Sequence, residues 1–435
     1  MRRLATLLLL CLALGSGIAS GVTRPADRPP VPGLAFAVAM KGNGDLLAAG
    51  PFLLKVPGAK GALRLELSGL EADGASLRGQ ARLRNDSGLL LAGLTLDFES
   101  ATETGAKPSE QGASATGPVA LKEPLAFGDL LAGETSPTLS FDLSPIPLGE
   151  EVFLTTLLGS VRGLAAEPAV AVAGAVSPVA LDADRSGRLY LATGGVGRVL
   201  RFAATSATSA AAPFEAARPS APPAGIALRP RNGDLFVSTG SQVIEVHRPG
   251  VARPATLDAG RPVTALRIDS KNVLRAASGN AVLAFDEARP GPARTVGPGG
   301  SRILSFDADG RGVIHAVVAV GGARRVFFAG EEGPLPFPAK RGAGSDAVDA
   351  PSACRFDGEG LLWIGAESRT PEGTVLARFL PDGTPLAALS REALALLLGK
   401  EEGAGVPPIV DLARGPEGRL YVLLEDGSVF VVRAF

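Results

Sequence analysis

Histidine, the side chain most often used for proton transfer near neutrality, occurs only twice, at His247 and His315. No HExxH pair and no neighbouring second histidine assembles a zinc site. Two segments imitate the start of a calcium loop: Asp182-Ala183-Asp184-Arg185-Ser186-Gly187 and Asp307-Ala308-Asp309-Gly310-Arg311-Gly312. Their twelfth positions are Thr193 and Val318 rather than glutamate, and no helical pattern flanks them. Such aspartates are expected to accept backbone hydrogen bonds in hairpin turns. Gly399-Lys400 lacks the upstream glycine of a phosphate loop, and no GxSxG nucleophile elbow occurs. Cys11 and Cys354 are the two cysteines. Cys354 lies in Ser352-Ala353-Cys354-Arg355-Phe356, whose alternation suits a buried small hydrophobe better than a reactive thiol. No catalytic residue is assigned, and neither a metal nor another cofactor is expected.

The elements that would carry these residues repeat along the second part of the chain. Gly187-Arg188-Leu189-Tyr190 recurs as Gly233-Asp234-Leu235-Phe236, Asn272-Val273-Leu274-Arg275, Gly312-Val313-Ile314-His315, Gly360-Leu361-Leu362-Trp363 and Gly418-Arg419-Leu420-Tyr421. The third positions are 46, 39, 40, 48 and 58 residues apart. An apolar strand and a polar turn precede each copy, and a second apolar run follows. Strand, turn, strand, loop, strand near this period is the pattern of β-propeller blades. His315 takes the place of Tyr190, Phe236 and Trp363, which reads as packing. His247, beside Arg248-Pro249-Gly250, reads as solvated. The segments VALDADRSGRLYLA and CRFDGEGLLWIG resemble the NHL-repeat and gluconolactonase-like six-bladed propellers over residues 168–435. The final unit stops at Phe435, one strand short. Pro168–Ala175 is expected to supply that strand, with Ala169–Val172 pairing against Ser428–Val432.

A propeller offers ligands the mouth of its central channel. In this register the loops entering the first strands contribute Ser177, Arg261, Arg302, Asp349 and Ser352. The loops joining second and third strands contribute Asn280, Glu367, Glu372, Glu425 and Asp426. Arg261, Arg302, Asp349 and Glu367 are the ligand-binding candidates. The resemblance implies a divalent metal held there by an acid, an Asn and an Asp, but no positions of this chain match those ligands. Extra length at 330–350 and 384–410 precedes first strands, which places both insertions on the same rim. Ser390 as N-cap and Gly399 as stop predict a helix over 391–398. Leu394, Leu397 and Leu398 would be its buried face, covering part of the channel.

Residues 33–163 show strand alternation without a helical period, for example Leu63, Leu65 and Leu67 against Arg64, Glu66 and Ser68. Later strand candidates are 118–127, 137–143 and 151–159. The stretches LRNDSGLLLAGLTLDF and FGDLLAGETSPTLSFDLSP resemble bacterial extracytoplasmic immunoglobulin-like modules. Residues 1–20, MRRLATLLLLCLALGSGIAS, order basic, apolar and small residues as a secretory signal does. Residues 21–32 form a Pro-rich linker. The expected fold class is therefore all-β: an immunoglobulin-like β-sandwich at 33–163, then a six-bladed propeller at 168–435. Residues 33–163 hold 10 basic and 15 acidic side chains, and residues 164–435 hold 29 and 28. Neither half is a phosphate-tracking surface, so nucleic acid is an unsuitable partner. Arg outnumbers Lys 35 to 8, a composition of GC-rich bacterial genomes. The functional expectation is an exported periplasmic or secreted binding or scaffold protein, with an unknown protein or small molecule as partner and no membrane span after cleavage. The alternative is a metal-dependent lactonase-like hydrolase or lyase at the channel mouth.

Overall fold

The computed structural model describes residues 33–41, 46–48, 51–73, 76–104, 121, 124–144, 154–171, 177–202, 214–286, 289–330, 333–337, 348–368, 370, 372–380, 383–401 and 405–435. The expected signal sequence at 1–20, the expected linker at 21–32 and most of the 330–350 insertion lie outside these residues. The chain divides into two compact units, one containing Leu94–Arg162 and the residues up to Gly88, the other containing Leu89–Gly93 and Gly163–Ala434.

Among the described residues, the first unit holds strands of two sheets. One orders Phe52–Leu54, Leu63–Asp73, Ser76–Asn85 and Leu139–Leu143 in antiparallel sequence. The other joins Leu46–Ala48, Leu34–Lys41 and the start of Leu154–Ala171, together with Leu90–Thr104 and Leu125–Leu130. Alternation does the sorting. Along Ser76–Asn85, Leu77, Ala81 and Leu83 are buried while Arg78, Arg82 and Arg84 are exposed. The buried faces meet through Phe36 and Phe52, 5.2 Å between ring centroids, and Phe98 and Phe141, 5.5 Å apart. Gly79 leaves room there, since a Cβ would stand 2.4 Å from the end of the Leu70 side chain and 2.8 Å from that of Phe141, and both would have to shift. The two stretches that carry the immunoglobulin-like resemblance are bonded to each other. Buried Asn85 donates from Nδ2 to the Leu130 carbonyl and accepts from the Ser87 N–H at Oδ1. Ser136 Oγ accepts from the Leu83 N–H, and the Ser136 N–H donates to the Leu83 carbonyl.

The second unit is a β-propeller-like array. Among the described residues it contains five antiparallel sheets of four or five strands, and a sixth group, counted below as the sixth sheet, in which Ile409–Arg414, Leu420–Leu424, Ser428–Ala434 and the end of Leu154–Ala171 follow in order within an eight-stranded sheet; each runs from a first strand through a second and a third to an outer strand. The first strands are Pro178–Ala183, Gly225–Leu228, Ala265–Ile268, Arg302–Ala308, Ala350–Phe356 and Ile409–Arg414. Each touches the next, and the sixth touches the first. Apolar cores fill the spaces between neighbouring sheets. Leu181, Leu191 and Leu200 pack with Tyr421, Leu423 and Val429 where the sixth sheet meets the first. The outer strand of the sixth sheet comes from far upstream, as the sequence leads one to expect. Ser428 pairs with Ala171 and Val429 with Val170, and the ladder continues back to Ala434 opposite Leu164. The pairing thus starts earlier than Ala169, and Val172 lies outside the described residues.

The turn between first and second strands repeats a side-chain device. Asp184, Asp269, Asp309 and Asp357 each accept, at Oδ1, the N–H groups two and four residues on. These bonds satisfy turn donors that the ladder cannot reach. Asp184 and Asp309 do what the sequence suggests. Asp182 and Asp307, two residues earlier, do something else, described next.

Candidate functional site

The strand register locates the rim. Pro178 pairs with Thr193, Gly225 with Ser238, Ala265 with Ala277, Arg302 with Ala319, Ala350 with Glu367 and Ile409 with Leu424. In every sheet the start of the first strand therefore lies beside the end of the second. All four candidate residues belong to that end of their sheets. Arg261 is exposed in the loop entering Ala265–Ile268. Arg302 is the exposed first residue of its strand rather than a loop residue. Asp349 is exposed immediately before Ala350, and Glu367 is the cross-strand partner of Ala350. Among the described residues Glu367 alone of the four has a side-chain partner, Arg324 Nη1 at 2.7 Å, which ties the fourth sheet to the fifth. Asn280 holds the loop entering the fourth sheet by donating to the carbonyls of Gly297, 3.1 Å, and Pro298, 3.3 Å. Ser352 sits at a register shift between Pro351 and Ala353, a bulge that also occurs in the first strands of the first, fourth and sixth sheets. Among the described residues, no group of three or more His, Cys, Asp or Glu side chains is placed to hold a metal ion.

Charge of a different kind lines the middle of the ring. On one face of the first strands stand Asp182, Ala227, Arg267, Asp307, Arg355 and Ala413, each opposite its repeat's aromatic or equivalent residue. Two residues earlier on the same face are Ala180, Gly225, Ala265, Ser305, Ala353 and Asp411. Small residues leave room, and five buried charges fill it: Asp182, Arg267, Asp307, Arg355 and Asp411. Arg267 Nη2 donates to Asp411 Oδ1, joining the third sheet to the sixth. Arg355 Nη2 donates to Asp182 Oδ1 at 3.4 Å, and its Nε lies 3.6 Å from Asp307 Oδ2. The same carboxylates stitch neighbouring sheets through backbone donors. Asp411 accepts from the Leu181 N–H, Asp182 from the Leu228 N–H and Asp307 from the Phe356 N–H, at 2.8 to 2.9 Å. Burial alone would disfavour the Arg267 charge, yet Asp411, Asp182 and Asp307 hold its pKa above the ordinary arginine value. The ring is closed by ion pairs between first strands of different sheets. The sequence signal for it was a charge interrupting an otherwise apolar first strand.

The other chemical candidates are absorbed by packing. His315 is buried among Phe356, Phe328 and Phe337, at 5.1, 5.6 and 5.7 Å between centroids. Desolvation pushes it down to about 4, against the pull of Asp309 and Asp307. Cys354 is fully buried, and desolvation raises its thiol to about 12, far from the thiolate a nucleophile needs. His247 is not solvated, contrary to the sequence reading: its Nε2 lies 3.0 Å from Glu245 Oε2 and its side chain is only 16% exposed. The helix forms as Arg391–Leu397, with Ser390 Oγ accepting from the Ala393 N–H. Its buried residues are Ala393, Leu394 and Ala395, whereas Leu397 and Leu398 are only half-buried. It packs on Thr374–Phe379 and Pro385–Ser390, the third and outer strands of its own sheet. The helix therefore seats on the periphery, not over the channel.

No protein-family model matches the chain, and no curated protein does. Solved structures give distant likenesses. A streptogramin B lyase is 12% identical with a TM-score of 0.40, over 86% of this chain and 98% of that one. A gluconolactonase from Xanthomonas campestris is 12% identical with a TM-score of 0.43, over 63% and 90%. The PQQ-bound aldose sugar dehydrogenase from Streptomyces coelicolor is 16% identical with a TM-score of 0.43, over 63% and 98%. The array of sheets in this chain stands on its own strand pairing and inter-sheet cores.

Proposed function

We propose that this chain is an exported recognition protein, with an immunoglobulin-like sandwich followed by a six-bladed propeller of the NHL type. Residues 1–20 would direct export; among the described residues no helix is long and apolar enough to cross a membrane. The ligand, a protein or small molecule of the cell envelope, would sit on the rim where the first strands begin. One observation carries this reading. The register brings Arg261, Arg302, Asp349 and Glu367 to the same end of their sheets, three of them exposed, while the charges at the ring centre are spent on one another. Exposed charges on a rigid rim are the usual material of recognition, because the scaffold has already fixed their positions.

The test is a thermal-shift screen of sugar, lactone and peptide probes against purified full chain. Hits are then titrated into Arg261→Ala, Arg302→Ala and Asp349→Ala. At least one hit should lose tenfold or more in affinity in one of these variants. Hits indifferent to all three would overturn the assignment of the rim. Stoichiometric calcium or zinc removed by Asp349→Ala, with turnover of a lactone probe, would replace it with the metal-dependent hydrolase or lyase reading.

A further inference from the structure

The opposite ends of the sheets, where first strands turn into second strands, carry a second feature. The residue whose N–H closes this turn is Asp184, Asp269, Asp309 and Asp357 in the first, third, fourth and fifth sheets. In the second sheet the same place belongs to Arg229, whose N–H donates to the Asp234 carbonyl at 2.8 Å. A carboxylate of the repeat has been exchanged for a guanidinium. The turn is kept by Asn232, whose side chain bonds the Asp234 N–H and carboxylate.

The exchange changes the cleft between the first and second sheets. A cavity of about 500 Å³ lies there, walled by Arg185, Arg188, Arg201, Arg229, Tyr190 and Asp184. Among the described residues that line it, four arginines stand against one acidic residue, Asp184, and that carboxylate is occupied. Asp184 already accepts from Arg188 Nε at 2.6 Å, from Ser186 Oγ at 2.7 Å and from two backbone N–H groups. Arg201 shows what is missing. It stands opposite Tyr190, as Arg378 stands opposite Trp363 in the fifth sheet. Arg378 is saturated by Asp357 and Glu359 at 2.6 Å each. Arg201 has no carboxylate partner among the described residues and rests over the Phe214 ring, 4.9 Å from its centroid. Arg229 lies over Phe236 at 4.8 Å, its Nε buried without a hydrogen-bond partner and Asp234 no closer than 4.0 Å. The aromatic rings hold both guanidinium planes in place. Positioned guanidinium forks match the paired oxygens of carboxylates and phosphates.

We propose that this cleft binds a small ligand bearing two or more oxyanion charges, a polycarboxylate or a phosphate, held by Arg185, Arg201 and Arg229. The site is separate from the rim assigned above and does not depend on it. Calorimetry on the full chain at low ionic strength, with citrate and inorganic pyrophosphate as probes and glucose as neutral control, tests it. One-site saturable binding of citrate or pyrophosphate is expected, weakening as sodium chloride is raised. The stronger of the two probes identifies the oxyanion class. Arg185→Gln and Arg201→Gln should each lower affinity at least fivefold, and Arg325→Gln, exposed on the fourth sheet, should leave it unchanged. Arg185 is exposed and makes no described side-chain bond, so its replacement does not threaten the fold. Saturation by neither probe, or wild-type affinity in both cleft variants, would overturn the proposal.

Discussion

At the scale of single residues, burial decides which charges matter. Asp411 is buried with two obligations, the Arg267 guanidinium and the Leu181 N–H. Asp411→Ala would strip buried Arg267 of its hydrogen-bonded carboxylate and leave a backbone donor unsatisfied, and should cost roughly 3–5 kcal/mol by urea unfolding. The exposed pair of Arg82 and Glu66 is the contrast: Arg82→Ala should leave the urea midpoint nearly unchanged. His315 supplies a pH signature. Its pKa is lowered from 6.5 to about 4 in the folded chain, so the unfolded chain binds more protons between those values. Its contribution to stability is complete above pH 6.5 and is lost as pH falls, by roughly 3 kcal/mol near pH 4. His315→Phe should flatten that part of the stability curve. A slope unchanged by the substitution would show that other groups set it. The role of His315 was legible because the repeat places it among aromatics. The bond between Arg267 and Asp411 was not, because 144 residues separate them and neither belongs to the repeated turn.

Elements show the same division between local and distant causes. The turn aspartates and the helix ends were readable because their partners lie within a few residues: Ser390 caps Ala393, and Gly399 takes φ +64 at the stop. Which helix residues are buried was not readable, because it depends on the surface the helix meets. The sequence pointed to Leu394, Leu397 and Leu398; the seat on Thr374–Phe379 and Pro385–Ser390 buries Ala393, Leu394 and Ala395 instead. Leu394→Ala should therefore cost about 2–5 kcal/mol, and Leu397→Ala less than half as much. Denaturant titration of the two variants checks the order. A larger effect at Leu397 would mean that the helix docks by its other side. The rim candidates belong to this scale too. The repeat fixed which end of each sheet they occupy, but not that Glu367 would be held by Arg324 from the neighbouring sheet.

For the propeller-like unit as a whole, stability hangs on how the last sheet is finished. A sheet ending at Ser428–Ala434 would expose a row of unpaired N–H and C=O groups. The upstream residues 164–171 cover that row, Leu164 opposite Ala434 through Ala171 opposite Ser428. Arg433 and Glu167 add an ion pair across the same ladder. The sixth sheet then packs Tyr421, Leu423 and Val429 against Leu181 and Leu191 of the first, which joins the last sheet to the first by an apolar core. The closing strand joins the two ends of the array, so loosening it affects more than one sheet. Two variants separate the ladder from the side chains. Deleting residues 1–176 removes the strand and should lower the melting temperature by 10 °C or more, with aggregation through the freed edge. Ala166→Pro keeps the chain but introduces a ring without an N–H where Ala166 faces Val432. Proline inside a paired strand removes a ladder bond, so a smaller drop in the same direction is expected. Glu167→Ala leaves the ladder intact but removes the partner of buried Arg433, whose side chain is 8% exposed against 26% for Glu167, and should cost roughly 1–3 kcal/mol, less than either change to the strand. Closure is by the backbone ladder if the effects fall in that order. If the truncated chain melts where the full chain does, the sixth sheet is stable with three strands and the upstream segment is not its lock.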